Sequence, residues 1–263
     1  MDDPWAIVER AASNRSSGAA ALARTAADAL ARLSDDRVMP ALEVLLRGHP
    51  SMAPLWRLAS EVLSAPEPHL GALEFVVSLQ WDRVAVEAFT EAYPGLSAHN
   101  VITISYSSSV IELIERARPK TVICMRSEPG GEGARAAEAM SRWTNVLVME
   151  DEDAITNVPG DAVIVGADAV TPHAVINKVK TRGLTKAASV RKVPTYAVAG
   201  ESKFIGEELP VADPFEATPL ELFVGVAGAD GILDPQAAGE RARARPIHRS
   251  LRRLLDELRK SRG

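Results

Sequence analysis

Cysteine is nearly absent from this 263-residue sequence, because Cys124 is the only one. A single thiol excludes an intramolecular disulfide and fits a reducing compartment. No apolar run approaches the roughly 20 residues that a transmembrane helix requires. The sequence begins Met1-Asp2-Asp3, which is acidic and lacks the pattern of a signal peptide. The default expectation is therefore a cytoplasmic protein with no membrane partner.

An excess of positive charge is also lacking, since the formal net charge is −5. Bulk electrostatics therefore gives no reason to expect a nucleic acid partner. Internal repeats and low-complexity tracts are not seen. The composition, with 46% hydrophobic and 25% charged residues, is that of an ordinary globular protein. A chain of 263 residues suffices for one large domain or two small ones.

The first ninety-odd residues have the apolar periodicity of helices. Asp3-Pro4 is a helix start with proline at the first helical position, and Arg15-Ser16-Ser17-Gly18 breaks that helix. Pro94-Gly95 ends the helical half. Further helices are predicted along this half: one that carries Leu22–Leu33, one that begins at Asp35-Asp36, one over Met52–Leu63, and one long helix or two over Pro66–Tyr93.

From His99 the pattern changes to short apolar runs that alternate with helices. This alternation predicts crossover connections and a mostly parallel, doubly wound sheet. A basic helix over Pro246–Gly263 is predicted to end the chain. The fold is thus predicted to be α/β, with a helical domain over residues 1–97 and a Rossmann-like domain over residues 98–263. The predicted strands are Val101–Ile104, Thr121–Met125, Val146–Met149, Asp161–Val165, Thr195–Val198 and, as a sixth, Leu220–Val226.

Asp168 is the first candidate for a site residue. It follows the buried run Val163–Val165, and Gly166 lets the backbone turn closely at that point. Ligands of open α/β sheets bind beyond the carboxyl ends of the strands. Asn177 and Lys178, nine residues on, suit sugar hydroxyls and phosphate. The alternative is that Asp168 caps the next helix, which is common for Asp after a strand.

Polar residues follow the other predicted strands too. The serine run Ser105–Ser109 is either a phosphate-binding nest or a serine-rich helix cap. The loop Gly130-Gly131-Glu132-Gly133 matches neither a Walker loop nor a dinucleotide fingerprint, so no nucleotide, other cofactor or metal is predicted. The remaining strand-end groups are Ser127, Asp151 or Glu152, and Glu201-Ser202-Lys203.

Five pieces occur in a characteristic order along the chain: Thr103–Ser108, Ser127–Gly133, Val165–Asp168, Asn177–Val179 and Glu201–Phe204. Together they resemble the eukaryotic initiation factor 2B alpha/beta/delta family. That superfamily also contains methylthioribose-1-phosphate isomerase and ribose-1,5-bisphosphate isomerase. The resemblance covers nearly the whole chain and implies a helical domain followed by a Rossmann-like domain. It also implies a homodimer or a higher homo-oligomer.

The resemblance implies catalytic positions at Asp168 and Ser105. The isomerases convert a phosphorylated aldose to a ketose without a metal, and they are thought to use an aspartate and a cysteine. Asp168 matches the aspartate, whereas Ser105 stands where the cysteine is. A serine hydroxyl rarely shuttles protons without a neighbouring base. Cys124, inside a predicted strand, is expected to be a buried small hydrophobe.

The resemblance also implies a set of substrate-binding residues, some of them in an N-terminal loop. His49 departs from the family pattern, since the isomerases have arginine there for the substrate phosphate. Arg126 and Glu128 have swapped charges, and Lys180 stands where glycine is usual. The implied binding residues are Arg15, Ser17, Gly18, Ser107, Glu132, Asn177 and Lys178.

Three functions remain open from the sequence. The first is binding of a phosphorylated sugar of the pentose phosphate type without the cysteine-dependent isomerase chemistry. The second is an active aldose–ketose isomerase of sugar phosphates, of the ribose-1,5-bisphosphate or methylthioribose-1-phosphate type. The third is a regulatory subunit that acts through protein–protein contacts.

Overall fold

Residues 3–261 are described by the computed structural model of the chain. The helices of the first hundred residues begin where the sequence places their caps, with Asp3 accepting the N–H of Trp5 at the first of them. Their bounds are Pro4–Ser13 (α1), Ala19–Leu30 (α2), Asp35–Gly48 (α3), Ala53–Ser64 (α4), Pro68–Ser78 (α5) and Val84–Ala92 (α6). Those of the later helices are Ser108–Ala117 (α7), Glu132–Met140 (α8), Asp151–Asn157 (α9), Thr181–Val190 (α10), Pro235–Arg243 (α11) and Arg252–Lys260 (α12).

The strands begin at Asn100 and alternate with helices, as the change of period predicts. Most are four or five residues long, and the central ones are buried on both faces. Their bounds are Asn100–Thr103 (β1), Thr121–Met125 (β2), Asn145–Met149 (β3), Ala162–Gly166 (β4), Ala169–Val170 (β5), Ala174–Lys178 (β6), Thr195–Val198 (β7), Phe215–Pro219 (β8), Gly225–Gly228 (β9) and Gly231–Leu233 (β10).

Within residues 3–261, seven strands form one sheet in the order β10-β9-β7-β4-β1-β2-β3. All neighbours in it are parallel except β9 and β10. The six parallel strands follow the doubly wound order 3-2-1-4-5-6, and the order reverses between β1 and β4. The predicted Rossmann-like α/β fold is confirmed. The residues after β1 and after β4, Ser105 and Asp168, therefore flank the switch point at which such sheets bind ligands.

A second sheet, of strands β5, β6 and β8, is antiparallel and was not predicted. Its middle strand β6 is buried along its whole length, so its sequence lacks the alternation of apolar and polar residues that marks a half-exposed strand. The predicted strand over Leu220–Val226 is wrong, because Leu220–Leu222 forms a 3-10 turn and β9 begins only at Gly225. Leu220 and Phe223 enter the core from that turn.

Two helices pack against a different half of the molecule from the one in which their sequence lies. The terminal helix begins later than the predicted Pro246, because Arg249–Leu251 forms a 3-10 turn and α12 starts at Arg252. Helix α12 places its leucines in the hydrophobic core of the N-terminal helices. Helix α6, which precedes residue 97, buries Val86 and Phe89 against the large sheet instead. The domain boundary between residues 97 and 98 stays a prediction. In the part of the chain that is described, no helix is both long and apolar enough to span a bilayer.

Candidate functional site

A cavity of about 510 Å³ lies where the N-terminal helices meet the carboxyl ends of the central strands. Such a volume lies within the range of small-molecule sites. The helical side contributes the turn before α2 and the turn between α3 and α4, and the sheet side contributes the loops after β1, β2 and β4. Seven of the nine predicted site residues line it, namely Arg15, Ser17, Gly18, Ser105, Glu132, Asp168 and Lys178.

The helical wall of the cavity presents a cation and a helix N-terminus. The N-cap residue of helix α2 is Gly18, which has no side chain to cap the helix, so the amides of its first turn are open to an anion. A Cβ built on Gly18 would meet nothing within 4 Å. Nη1 of Arg15 donates to the carbonyl of Ala12 at 2.8 Å and also lies near the carbonyl of Asn14 and Nε2 of His49, so the N–H groups of its Nε and Nη2 remain available. This wall is suited to a phosphate.

His49 also lines this wall and lies beside Arg15. It is 4% exposed, and its Nε2 lies 2.8 Å from the carbonyl oxygen of Ala11 and 3.3 Å from Nη1 of Arg15. Burial lowers the pKa of His49; the Ala11 carbonyl opposes that effect, and the charge of Arg15 adds to it. A neutral imidazole therefore stands beside the guanidinium, and the charge at this wall comes from Arg15.

Ser105 lies on the sheet side of the cavity in the left-handed backbone region, with φ of 70°. Its N–H donates to Oγ of Ser127 at 2.7 Å, and its own hydroxyl donates to Oε1 of Glu132 at 3.2 Å. The hydroxyl therefore has a carboxylate within hydrogen-bond reach, which sequence reasoning did not find. The signal was present, because Glu132 lies in the loop-to-helix piece that the resemblance had already marked.

Beneath Ser105, a chain of buried and partly buried hydrogen bonds fixes the loop after β2. The carboxylate of Asp151 accepts the amides of Ser127 and Glu128 at 2.7 and 2.8 Å, and it pairs with Lys180 at 2.8 Å. Burial alone would raise the pKa of Asp151, but the hydrogen bonds from Lys180 and from the two amides outweigh it and the pKa is lowered. Asp151 is thus a charged group that holds this loop in place through hydrogen bonds. It does not line the cavity.

Glu132 and Lys178 form an ion pair at 2.7 Å. Lys178 is 3% exposed and also donates to the carbonyl of Pro129. The pair joins the first turn of α8 to the end of β6 and closes the cavity from that side. Its carboxylate and ammonium can both contact the hydroxyl or phosphate oxygens of a bound ligand.

Asp168 faces the cavity from the segment between β4 and β5. The alternative that it caps a helix is wrong, because a strand follows it. Burial raises the pKa of the Asp168 carboxyl; the charge of Lys203 opposes that effect, and the charge of Glu132 adds to it. Asp168 is therefore suited to hold a proton more readily than an ordinary aspartate, as a hydrogen-bond donor or an acid.

Two predicted binding residues do not line the cavity. Ser107 caps α7, where its hydroxyl accepts the N–H of Val110 at 3.4 Å, and it contacts the place where Gly166 has no side chain. Asn177 is 4% exposed and donates to the hydroxyl of Thr181 at 3.1 Å. In this structure both hold the walls of the cavity rather than its surface.

Cys124 is buried in β2, as predicted. Its thiol lies 3.2 Å from the carbonyl of Gly133. Burial raises its pKa to about 12, so the thiol stays protonated near neutral pH and takes no part in cavity chemistry.

Several residues that line the cavity were not predicted. Arg135 stacks over the ring of Tyr106 at 5.1 Å, on the same helix as Glu132. Asp213 and Phe215 reach the cavity from the lead-in to β8, in the sheet that the sequence did not reveal. Among the described residues, no group of three or more His, Cys, Asp or Glu side chains is placed to hold a metal ion.

Comparison with known proteins gives a consistent result. The model of the initiation factor 2 subunit family (IF-2B) matches residues 83–235. A Pyrococcus horikoshii protein described as eIF-2B subunit 2-like is 27% identical over 208 residues, which are 72% of this chain and 75% of that protein. The crystal structure of P. horikoshii translation initiation factor eIF-2B superposes with a TM-score of 0.78 at 26% identity, over 89% of this chain and 98% of that one.

More distant structures share the fold alone. The P. horikoshii 5-methylthioribose 1-phosphate isomerase has a TM-score of 0.61 at 19% identity, over 98% of this chain and 88% of that one. A subunit of the tetrameric eIF2B-beta2-delta2 complex of Chaetomium thermophilum has a TM-score of 0.67 at 16% identity, over 90% and 91% of the two chains. The fold is thus common to translation factor subunits and to an isomerase. Because the family model covers more than half of its length, the chain belongs to the initiation factor 2 subunit family.

Proposed function

We propose that this protein binds a phosphorylated sugar of the pentose phosphate type in the cavity, without the cysteine-dependent isomerase chemistry. The observation that carries this proposal is the convergence of two kinds of groups in one cavity. Arg15 and the open N-terminus of α2 form a phosphate wall, and the groups opposite, Glu132, Asp168 and Lys178, suit hydroxyls. The proposal includes assembly as a homodimer or higher homo-oligomer.

The balance of charge around the cavity supports one phosphate rather than two. Three cations line it, Arg15, Arg135 and Lys178, together with three carboxyl groups, those of Glu132, Asp168 and Asp213. Lys178 is already paired with Glu132. A second phosphate at the sheet end would therefore meet carboxylates, which repel it.

A thermal-shift screen tests the proposal. The panel contains pentose and hexose mono- and bisphosphates, methylthioribose 1-phosphate and nucleoside monophosphates. A ligand that binds only the folded state stabilises it by about 2.7 kcal/mol at a hundredfold excess over Kd. We expect a pentose monophosphate to raise Tm, Arg15→Ala to abolish that rise, and Asp153→Asn, an exposed carboxylate on α9, to leave it intact. If no compound on the panel shifts Tm, the proposal is wrong.

A second candidate function, aldose–ketose isomerisation, has one specific observation in its favour. The Ser105 hydroxyl donates to the Glu132 carboxylate at 3.2 Å, and Asp168, whose pKa is raised, lines the same cavity. A carboxylate base and a carboxyl group that holds its proton more readily than usual are the groups that such a proton transfer requires. No thiol is needed for this arrangement.

Exchange of substrate hydrogen with deuterated water separates the two functions. If the protein only binds the sugar phosphate, the sugar incorporates no deuterium. If it is an isomerase that works by proton transfer, deuterium appears at the carbon next to the carbonyl. Glu132→Gln keeps an acceptor for Ser105 but removes the base, so in an isomerase it should lower exchange by roughly 100-fold or more, a larger effect than on the Tm shift. If the panel gives neither exchange nor a Tm shift, the regulatory-subunit reading is favoured, and a pull-down would seek a heteromeric partner.

A further inference from the structure

A second cavity, of about 420 Å³, lies between the N-terminal helices and the turn that follows β7. Its walls come from α4, α5, the 3-10 turn Leu79–Arg83, the 3-10 turn Glu201–Lys203 and the residues just after α11. We call it the tryptophan cavity, because Trp81 lines it. Within residues 3–261 it shares no lining residue with the cavity that contains Asp168. Its volume lies in the range of small-molecule sites, so it is a second place for a ligand.

The charged side chains that line the tryptophan cavity are two cations and two carboxylates, arranged as two ion pairs. Nη2 of Arg57 lies 3.0 Å from Oε1 of Glu61 on the same helix. On the opposite wall, Nη2 of Arg245 lies 3.2 Å from Oε2 of Glu201. The lining is therefore neutral as a whole, which favours neither a simple anion nor a simple cation. A ligand that carries one charge of each sign is complementary to it.

These charged groups keep open hydrogen-bonding positions. In the described part of the chain, Nη2 is the guanidinium nitrogen that bonds in both Arg57 and Arg245, so Nε and Nη1 of each remain available. Both oxygens of Glu201 are taken by Arg241 and Arg245, whereas Oε2 of Glu61 has no such partner among the described residues. Burial lowers the pKa of Arg57; the charge of Glu61 opposes that effect, and the charge of Arg245 adds to it. A carboxylate bound beside Arg57 would offset the cost of burying its charge.

An aromatic wall lines the same cavity. Trp81 is 55% exposed and Phe75 is 2% exposed, so the indole presents apolar surface that a bound ring would cover. The neighbouring Asp82 accepts the N–H and the hydroxyl of Ser202 at 2.9 and 2.6 Å. These two hydrogen bonds tie the turn of Trp81 to the turn that carries Glu201. The aromatic wall and the charged wall are therefore held together before any ligand binds.

We propose that the tryptophan cavity binds a free amino acid with an aromatic side chain. Its α-carboxylate accepts the open N–H groups of Arg57 and Arg245, and its α-ammonium pairs with Glu61. Its ring lies against Trp81 and Phe75. The zwitterion matches the balanced charges of the lining, whereas a sugar phosphate is an anion without an apolar ring. This ligand is of another chemical class, so the proposal stands independently of the proposed function.

Calorimetric titration of the full chain with L-phenylalanine tests the site. We expect saturable binding with Kd below about 1 mM, and a change in tryptophan fluorescence that Trp81→Phe removes while binding persists. Arg245→Gln should weaken binding by roughly 10-fold or more, because a hydrogen bond between charged groups is lost. Arg249→Gln is the matched control, since Arg249 is exposed and lies outside the cavity lining. No saturation up to about 10 mM, or an Arg245→Gln variant that binds like wild type, would overturn the proposal.

Two analogues of phenylalanine test whether both charges of the ligand are recognised. Phenylpropanoate keeps the ring and the carboxylate but lacks the ammonium, and phenylethylamine keeps the ring and the ammonium but lacks the carboxylate. Each should bind roughly 10-fold or more weakly than phenylalanine. If either analogue binds as tightly as phenylalanine, the assignment to an amino acid is wrong. Arg15→Ala alters only the other cavity and should leave phenylalanine binding unchanged, so failure of the sugar phosphate screen would not affect this result.

Discussion

At the scale of single residues, the environment of Asp168 disfavours the ionised form of its carboxyl. Burial raises the pKa of its carboxyl, against the charge of Lys203 and with that of Glu132. For an acid whose pKa is higher in the folded state, the folded protein binds more protons, so stability falls as pH rises through the interval above the ordinary value of 3.8. Ionisation of the Asp168 carboxyl therefore destabilises the unliganded fold.

Asp168→Asn should consequently raise the Tm of the ligand-free protein near neutral pH, while it weakens the response to a sugar phosphate. The amide resembles the protonated carboxyl and removes the cost of a buried charge. For a chain of this size each 1 kcal/mol corresponds to roughly 2–4 °C, so a rise of a few degrees is expected, shrinking as the pH is lowered. Differential scanning calorimetry against Asp153→Asn checks it, and a lower Tm at neutral pH would contradict it.

His49 has the opposite pH signature. Burial lowers its pKa below 6.5, so the unfolded chain takes up the proton first, and stability is lost as the pH falls below that value. We expect His49→Gln to flatten the pH dependence of urea unfolding across this interval. His173→Gln, a histidine outside the cavity lining, is the control. A His49→Gln profile parallel to wild type would show that the imidazole does not titrate in this way.

At the scale of elements, two glycines offer a matched comparison. A Cβ on Gly133 would lie 1.8 Å from the carbonyl oxygen of Met125, whereas on Gly183 the nearest atom is Cδ1 of Ile155 at 3.4 Å. Both glycines lie in helices, α8 and α10. Helix α8 can therefore rest against β2 only because residue 133 has no side chain, and that contact positions Glu132 and Arg135.

Gly133→Ala should destabilise the protein by about 3 kcal/mol or more, because the overlap is with backbone that cannot move aside. Gly183→Ala should be neutral or stabilising by up to about 1 kcal/mol, owing to the helix propensity of alanine. Urea unfolding of both variants measures the difference. Equal stabilities would mean that α8 shifts freely, and then Glu132 would not be held in place by its helix.

The elements that the sequence predicted are those whose apolar residues repeat regularly. The helices α1 to α4 and the strands β1, β2, β3, β4 and β7 have such repeats, and the structure has them within three residues of the predicted bounds. The second sheet was not predicted because β5 has only two residues and β6 is buried throughout, so neither shows an alternating pattern. Similarly, motif order indicated Arg15, Ser105 and Asp168, but the Glu132–Lys178 pair joins residues 46 positions apart, and no local pattern encodes such a contact.

At the scale of the whole molecule, the N-terminal helices depend on distant parts of the chain. Their core includes Ala169 and Ile176 of the second sheet, Ile205, and Leu251, Leu254, Leu255 and Leu258 near the terminus. Removing these side chains from water contributes about 25 cal/mol for each Å² of apolar surface buried. A fragment that lacks them exposes that surface.

We therefore expect residues 1–97, expressed alone, to lack a cooperative unfolding transition, and the full chain to show one transition by near-UV and far-UV circular dichroism. Mixing the fragment with residues 98–263 should restore native helicity. A fragment 1–97 that melts cooperatively at the temperature of the full protein would contradict this expectation and would establish the predicted boundary as that of an autonomous domain.

The cavity lies between these two mutually dependent regions, and its walls come from both. A ligand bound there would contact both walls and so link the turns at Arg15 and His49 to the loops at Ser105 and Asp168. We expect ligand binding to reduce the local opening of the helices on both walls, including at surfaces that no ligand atom contacts. This would be measured as slower amide exchange in α1, α2 and α8 together.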